Sequence, residues 1–443
     1  MMRLTALSTP KNSRQLLPSI SDRCFKLGMR RNHSTAQGHG PLHSIRVIDL
    51  TRVLAGPFCT QILADYGADV LKIENPKGGD DTRLWRTAAE KKIWKSSQKD
   101  ISAYFCTINR NKRSMTLNLK QQTGRDVLFR LVKEADVSSV DNFVPGKMDE
   151  LGIGYETLRK LNPSIIHASV SGYGASGPYA KRAGYDAIVG AEAGMLHITG
   201  ERDGAPTRPG LGMTDMSTGL YLHGAIMAAL FSREKTGKGQ KIDASLFETQ
   251  VALLSNVAMS WLNAGEVAQR WGTAHPSIVP YQAFKTKDSY LFLGATNNRQ
   301  FQALCKLLDR ADLSTDARFA DNNSRLKNRK ELDKTLSDIL MSKPTGEWMR
   351  RLEGSGMPYG PINSIDSVFS HPQTAARNMV QTLPFDALSC GELKVLGSPV
   401  KFSETSPRIA SAPPRLGEHT KTVLQDMGLS DTEIQKLIDE NII

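Results

Sequence analysis

Cysteine is scarce: Cys24, Cys59, Cys106, Cys305 and Cys390 are the only five in 443 residues. No two form a C-x-x-C pair, which argues against a disulfide framework or a thiolate zinc cluster and fits a reducing compartment. The histidines are scattered without an H-x-x-x-H spacing, so no metal is expected. No run of roughly 18 apolar residues free of charge occurs, so no membrane span is expected. Clusters of Lys and Arg interleaved with stacking aromatics are also missing, and no nucleic-acid partner is expected. Internal repeats and long low-complexity segments are absent.

Acid is nearly missing from residues 1–40, where Asp22 alone faces Arg3, Lys11, Arg14, Arg23, Lys26, Arg30 and Arg31. Rich in Ser, Thr and Arg, this stretch reads as a mitochondrial transit peptide and is set apart from the fold. It carries half of the formal charge of +12. The rest is only mildly basic, which suits a small anionic substrate.

What is present is an alternation. Ile45–Leu50 reads as a buried strand. Ala55-Gly56-Pro57 opens a helix, with Pro57 tolerated in its first turn, and Gly67 closes it. Asp69–Glu74 is the next strand, which makes a βαβ unit and predicts a parallel sheet. The intervening turn lacks G-x-G-x-x-G, so neither NAD nor FAD is expected. After a polar stretch, 75–100, strands are predicted at 114–119, 137–140, 165–170 and 241–244, with helices between them. The fold class is therefore α/β, with a Rossmann-like large domain on a parallel sheet. A helix is predicted at 247–262 and, late in the chain, a strand at 393–402. From residue 264 the pattern changes to a hairpin (278–284 and 290–293) and more charged helices, which predicts a smaller α+β domain. The expected division is 41–263 large domain, 264–374 small domain and linker, and 375–443 a return to the large domain. Ser430-Asp431-Thr432-Glu433 is a capping signal for a last helix.

Pro209-Gly210-Leu211-Gly212-Met213-Thr214-Asp215 delivers one carboxylate to the start of an apolar helix predicted at 216–232. Asp215 is expected at its N-cap, where Asp is a favoured residue. There the helix N-terminus would keep the carboxylate ionised at neutral pH, as a nucleophile requires. The local sequence does not choose between cap and nucleophile. Ser171-Gly172-Tyr173-Gly174 follows a predicted strand directly, at the end of the sheet where such folds place ligands.

Several stretches, in order, together resemble one family, the class III CoA-transferases of the formyl-CoA and carnitine-CoA type. They are Val53-Leu54-Ala55-Gly56-Pro57 with Leu63–Glu74, Asn109-Arg110-Asn111-Lys112-Arg113-Ser114, Asn142-Phe143-Val144-Pro145-Gly146, Ser171–Gly174, Gly184-Tyr185-Asp186, Asp215 in its glycine frame, and Pro414–His419. Within the family the likeness is to the mitochondrial succinyl-CoA–glutarate branch. The resemblance implies a homodimer of two interlocked rings. It also implies CoA transfer from succinyl-CoA to a dicarboxylic acid such as glutarate, with the CoA thioester as substrate and no cofactor. Asp215 matches the nucleophile, which would pass through a mixed anhydride and an aspartyl-CoA thioester.

By the same resemblance Val53, Leu54, Ala55, Lys112, Asn142, Phe143 and Tyr173 match CoA-binding or active-site wall positions, with Lys112 a point charge near the phosphates. Leu54 stands where the formyl-CoA enzyme has a glutamine. Val144 and Glu150 replace arginines, and a less polar acyl site suits an acid longer than oxalate. The distal carboxylate of such an acid needs a cation. Arg52 is the first candidate and Arg299 the second, with Arg83 and Arg208 also in motif stretches. Trp271–Pro276, including His275, occupies the place of the family's lid with one glycine. The nearest rival is an α-methylacyl-CoA racemase, which uses a histidine where Tyr185 stands. Tyrosine is a poorer base near neutrality. A non-catalytic CoA-binding protein, with Asp215 only a cap, is the rival of another class.

Overall fold

The computed structural model describes residues 40–443; the expected leader lies outside them, apart from Gly40. The chain runs through β1 (Arg46–Asp49), α1 (Ala55–Asp65) and β2 (Asp69–Glu74), then α2 (Ala103–Thr107), β3 (Lys112–Thr116) and α3 (Gln122–Val132). It continues through β4 (Val137–Asp141), α4 (Lys147–Glu150), α5 (Tyr155–Leu161) and β5 (Ile166–Ser171). Next come α6 (Asp186–Glu192), α7 (Met195–Ile198), α8 (Met213–Thr236) and β6 (Lys241–Ser245).

These six strands form one sheet in the order β3-β2-β1-β4-β5-β6, and every neighbouring pair is parallel. Successive strands run outward from β1 to β3, then the chain returns across β1 to β4. The reversal leaves a crevice beyond the carboxyl ends of β1 and β4, where sheets of this order take ligands. Val47, Val70, Val137 and Ile166 face a core shared with Cys59, Leu63, Leu222 and Ile226 of α1 and α8. Ile48, Leu71, Ile73 and Met115, the alternate positions, face a second core with Val127, Leu128 and Leu158. That core is completed by Val423 and Leu437 from the last two helices, Thr420–Asp426 and Asp431–Asp439, so the C-terminus packs back on the first sheet. The final helix carries the expected capping box of Ser430 and Glu433.

After β6 come α9 (Leu246–Leu253) and α10 (Ser255–Ala264). The expected hairpin forms as β7 (Tyr281–Lys285) and β8 (Tyr290–Gly294), joined antiparallel by β9 (Tyr359–Pro361). With α11 (Asn298–Leu307), α12 (Asn322–Lys327), α13 (Arg329–Leu340) and α14 (Thr345–Leu352) it encloses a core of Phe284, Phe301, Leu332, Leu336 and Trp348.

Several predicted elements differ in extent. The strand expected at 114–119 is β3, two residues earlier, because its ladder ends where β2 ends at Glu74. The helix expected at 247–262 is broken between α9 and α10, where Ser255 has φ +46°. The strand expected across 393–402 is confined to Glu392–Leu396, because its antiparallel partner, Val380–Pro384, is only five residues long.

Candidate active site

The N-termini of α1 and α8 meet because two glycines let them. A Cβ on Gly219 would lie 2.7 Å from the Ala55 carbonyl oxygen, and one on Gly212 would lie 2.8 Å from Leu54 Cδ2. A side chain at Gly219 would push the helices apart, and one at Gly212 would displace the Leu54 side chain. Leu54 and Ala55 are thereby brought to the helix that carries Asp215.

Asp215 is not the N-cap. The helix starts at Met213, with Gly212 as its cap, and Asp215 is the third helical residue. Gly212 offers no side-chain acceptor, so another element supplies one: Asp186 Oδ1 accepts the Asp215 amide at 3.0 Å. Helix first-turn amides have no partner within their own helix, and a carboxylate there is favoured by the dipole. Asp186 is placed by close backbone packing. A Cβ on Gly184 would lie 2.7 Å from Gly172 Cα, so the Gly184-Tyr185-Asp186 segment sits directly on the loop after β5. Tyr173 in that loop donates its hydroxyl to Glu192 at 2.6 Å and packs on Phe247.

The charge state also differs from expectation. Asp215 is only 9% exposed, and burial pushes its carboxyl up to about 7, with the neighbouring Asp186 adding to the rise. Near neutrality Asp215 is therefore poised between its two forms rather than simply ionised. Tyr104 on α2 was not singled out by the sequence. Burial raises its phenol pKa, and so do the charges of Asp215, Asp186 and Asp80, which places it in the same field. No motif marks it.

At the crevice itself, Arg52 and Asn142 exchange two hydrogen bonds between the ends of β1 and β4. The Arg52 amide donates to Asn142 Oδ1 at 3.1 Å, and Asn142 Nδ2 donates to the Arg52 carbonyl at 2.6 Å. Val53 follows at φ +73°, left-handed backbone that a β-branched residue rarely adopts. Its amide is held by Asp80 Oδ1 at 3.1 Å, and Asp80 is anchored on the buried Lys72. Strain of this kind costs roughly 1–3 kcal/mol and persists only where surrounding contacts fix it. Phe143 is half-buried against the second core.

Lys112 corrects a prediction. It was expected to face phosphate, but its side chain is fully buried. Its ammonium donates to Asp49 Oδ2 at 3.0 Å, the Pro57 carbonyl at 3.0 Å and Asn109 Oδ1 at 2.9 Å. An ammonium has three N–H donors, and all are used. Burial pushes Lys112 down to about 8 despite Asp49. Burial would by itself raise Asp49, but Lys112 and Lys72 outweigh it and hold the carboxyl low. Lys112 ties β3 to the end of β1 beneath α1.

The arginine candidates separate. Arg83 is buried on Glu74 in a two-pronged pair, 2.8 and 2.7 Å, and is not available to a substrate. Arg52 lies at the crevice but spends its guanidinium on Asp81, 2.8 Å away in an exposed pair. Arg208 is exposed in the loop before α8, and Arg299 is exposed on α11, with no hydrogen bond or ion pair joining it to the residues above. The Trp271–Pro276 segment is pinned: the Gly272 amide donates to the Gly200 carbonyl at 2.9 Å, and Arg329 donates to the carbonyls of His275 and Pro276. His275 Nδ1 accepts the Ser277 amide, a positional role.

Among the described residues no group of His, Cys, Asp or Glu has the arrangement of a metal site. No helix there is long and apolar enough to cross a membrane.

With this geometry in view, comparison with known proteins is specific. The profile of CoA-transferase family III matches residues 42–420. An acyl-CoA transferase of Fusarium pseudograminearum is 53% identical over 410 residues, covering 93% of this chain and 90% of its own. A succinyl-CoA:glutarate CoA-transferase of Mus musculus is 45% identical over 414 residues, covering 93% and 92%. A crystal structure of a CAIB/BAIF family protein from Brucella suis superposes with a TM-score of 0.78 at 38% identity, over 88% of this chain and all of that one.

Proposed function

From the premise that this chain belongs to CoA-transferase family III and is a CoA-transferase, we propose that it moves CoA from succinyl-CoA to a dicarboxylic acid such as glutarate, through covalent intermediates on Asp215. The observation that carries this reading is the placement of Asp215. It is a nearly buried carboxylate on the first turn of α8, where that helix packs against Leu54 at the start of α1.

The ionised Asp215 attacks the thioester carbonyl of succinyl-CoA, and the C–S bond breaks to give a mixed anhydride and CoA thiolate. The thiolate attacks the aspartyl carbonyl, forming an aspartyl-CoA thioester and releasing succinate. The glutarate carboxylate then attacks that thioester and expels the thiolate, leaving an aspartyl-glutaryl anhydride. Attack of the thiolate on the glutaryl carbonyl gives glutaryl-CoA and restores Asp215. The covalent route divides one exchange between two poor nucleophiles into accessible steps. Both intermediates hydrolyse readily, so the site must exclude water, and the burial of Asp215 serves that need. Val53, Leu54, Ala55, Asn142, Phe143 and Tyr173 remain the candidates for the CoA and acyl walls. Tyr185, 62% exposed, stands where a racemase would need its histidine base, which supports transfer over racemisation.

Two further parts of the reading concern the chain as a whole. A homodimer is supported by α10, none of whose residues is buried although it carries Met259, Trp261 and Leu262. Mitochondrial location is supported by the basic, acid-poor composition of residues 1–40.

Incubation with succinyl-CoA and hydroxylamine tests the mechanism, since hydroxylamine converts an aspartyl thioester or anhydride to a hydroxamate. The modified peptide is expected to contain Asp215, and Asp215→Ala is expected to lose exchange by at least about 10³-fold, as for loss of a covalent nucleophile. An unmodified Asp215 peptide together with full activity in Asp215→Ala would overturn it.

A further inference from the structure

Two arginines flank one indole, and neither forms an ion pair with a carboxylate. The guanidinium carbon of Arg202 lies 4.6 Å from the ring centroid of Trp271, and that of Arg329 lies 5.0 Å from the same centroid. Two cations are thus held on one side chain, no more than about 10 Å apart. Arg270, adjacent in sequence, donates from Nη1 to the His197 carbonyl, while its Nε is buried without a hydrogen-bond partner.

Neutralisation is lacking. Other enclosed arginines are satisfied in place: Arg83, Arg110 and Arg113 meet the carboxylates of Glu74, Asp65 and Asp69, and the buried Arg325 meets two carbonyls and an amide oxygen. Among the described residues no carboxylate lies within ion-pairing distance of Arg202, Arg270 or Arg329. Two acids are nearby, Asp333 on the same helix as Arg329 and Glu201, whose carboxylate lies against Gly272, but neither forms an ion pair; Asp333 is the more enclosed. One of its oxygens is buried without a partner, and burial pushes its carboxyl up to about 6. The Arg329 guanidinium is held below its usual pKa by burial, with Asp333 opposing the shift and the like charge of Arg202 adding to it. The aromatic face offsets part of the repulsion, but a ring quadrupole does not cancel two charges.

The position of this cluster gives it a role. Arg202 lies in the loop 199–212, the same loop that delivers Asp215 to α8. The Thr207 amide closes that loop on the Thr199 carbonyl at 2.9 Å, and the Gly272 amide fastens it to the segment bearing Trp271. A Cβ on Gly200 would meet the Ala205 carbonyl and Thr207 Oγ1 at 2.8 Å, so the turn that presents Arg202 is built tightly. Guanidinium groups match carboxylate and phosphate oxygens in a planar, two-pronged fashion.

We propose that Arg202 and Arg329, held on Trp271, with the adjacent Arg270, form an anion-binding site for the charged end of the substrate. The anion is the distal carboxylate of the acyl group or acceptor acid, or a phosphate of CoA. Its identity as a substrate group rests on the CoA-transfer reading above; the existence of the site does not. It also reassigns the search for the distal-carboxylate cation, because Arg52 is paired and Arg83 is enclosed.

Calorimetric titration of the full-length protein distinguishes the two sources. Glutarate, butyrate, CoA and pantetheine are titrated into wild type, Arg202→Ala and Arg329→Gln. Arg202 is exposed and makes no hydrogen bond that the fold depends on, so its variant should keep the wild-type Tm. A dissociation constant for glutarate raised about tenfold in both variants, with butyrate unchanged, supports the site and assigns it to the carboxylate. The same rise for CoA, with pantetheine unchanged, supports it and assigns it to phosphate. Unchanged binding of both anions overturns the proposal, as does equal weakening of all four compounds or a wild type that binds neither anion. The hydroxamate at Asp215 is measured in wild type alone, so the transfer reading and this site can fail separately.

Discussion

Asp215 carries two burdens that pull against each other. As a nucleophile it must be ionised, yet burial and Asp186 push its pKa up to about 7. The activity should therefore depend on pH through this group. kcat/KM for succinyl-CoA is expected to rise with pH along an acid limb centred near 7, and at pH 6 only roughly one-tenth of the plateau should remain. In Asp186→Asn the neighbouring charge is gone while an amide oxygen can still accept the Asp215 amide, so the limb should move to lower pH. A limb unchanged in that variant would show that Asp186 only caps the helix. The sign for stability is opposite. A carboxyl whose folded pKa lies above its ordinary 3.8 binds its proton more tightly when folded, so its contribution to stability is lost as pH rises from 3.8 to about 7. Asp215→Asn, measured by denaturant unfolding, should gain on wild type across that window, by at most a few kcal/mol, and hold the gain above it. The sequence made Asp215 visible through its glycine frame and its place among the ordered family stretches. It could not show that Asp186 would be the acceptor for its amide. The role of Lys112 is hidden for a similar reason: its counter-ion, Asp49, is 63 positions away, and only the pairing of β3 with β2, and of β2 with β1, brings it close.

At the scale of elements, the site depends on how closely α1 and α8 approach. Gly219 lies inside a helix, where replacing glycine by alanine on an exposed face would stabilise by about 1 kcal/mol. Here the added Cβ would stand 2.7 Å from a backbone oxygen of α1 and 3.1 Å from Phe58 Cδ1. Phe58 can rotate; the Ala55 carbonyl cannot move without shifting the start of α1. Gly219→Ala is therefore expected to destabilise by roughly 1–3 kcal/mol, the cost of overpacking, and to impair kcat/KM because Leu54 and Val53 shift with α1. Chemical denaturation and steady-state kinetics read the two effects. A variant as stable as wild type or more so would mean that the helices separate freely and that their spacing does not set the site. Most elements here were legible because period-2 and period-3.6 patterns are strong in the first sheet and its helices. The start of α8 was not, because three residues of approach and helix, Gly212 to Thr214, carry no side-chain cap to mark the boundary. The partition of the 247–262 apolar run was hidden too: no glycine or proline stands at the break, and the left-handed residue is Ser255.

At the scale of the whole molecule, the apolar surface left uncovered is the largest discrepancy with a solitary chain. The sequence predicted apolar helices over 216–232 and 247–262, and amphipathic logic would bury their apolar sides. In one chain they are only partly buried. Phe231 is 64% exposed, Trp261 56% and Leu262 73%, and α10 buries none of its residues. Large contiguous apolar patches on a soluble chain mark interaction surfaces, and a second copy covering them is the occupant that the family resemblance implies. If so, the protein should sediment at about twice the chain mass of 48.7 kDa, less any processed leader. Charged substitutions in α10, Trp261→Glu with Leu262→Glu, place two carboxylates in that contact without touching any residue of the Asp215 site. They are expected to give monomers at micromolar concentration and a Tm several degrees lower, because burial in a partner stabilises by mass action. A concentration-dependent Tm in wild type that becomes concentration-independent in the double variant would complete the assignment. Wild type that sediments as a monomer at all concentrations would instead leave these helices to a different partner, and the homodimer would have to be given up.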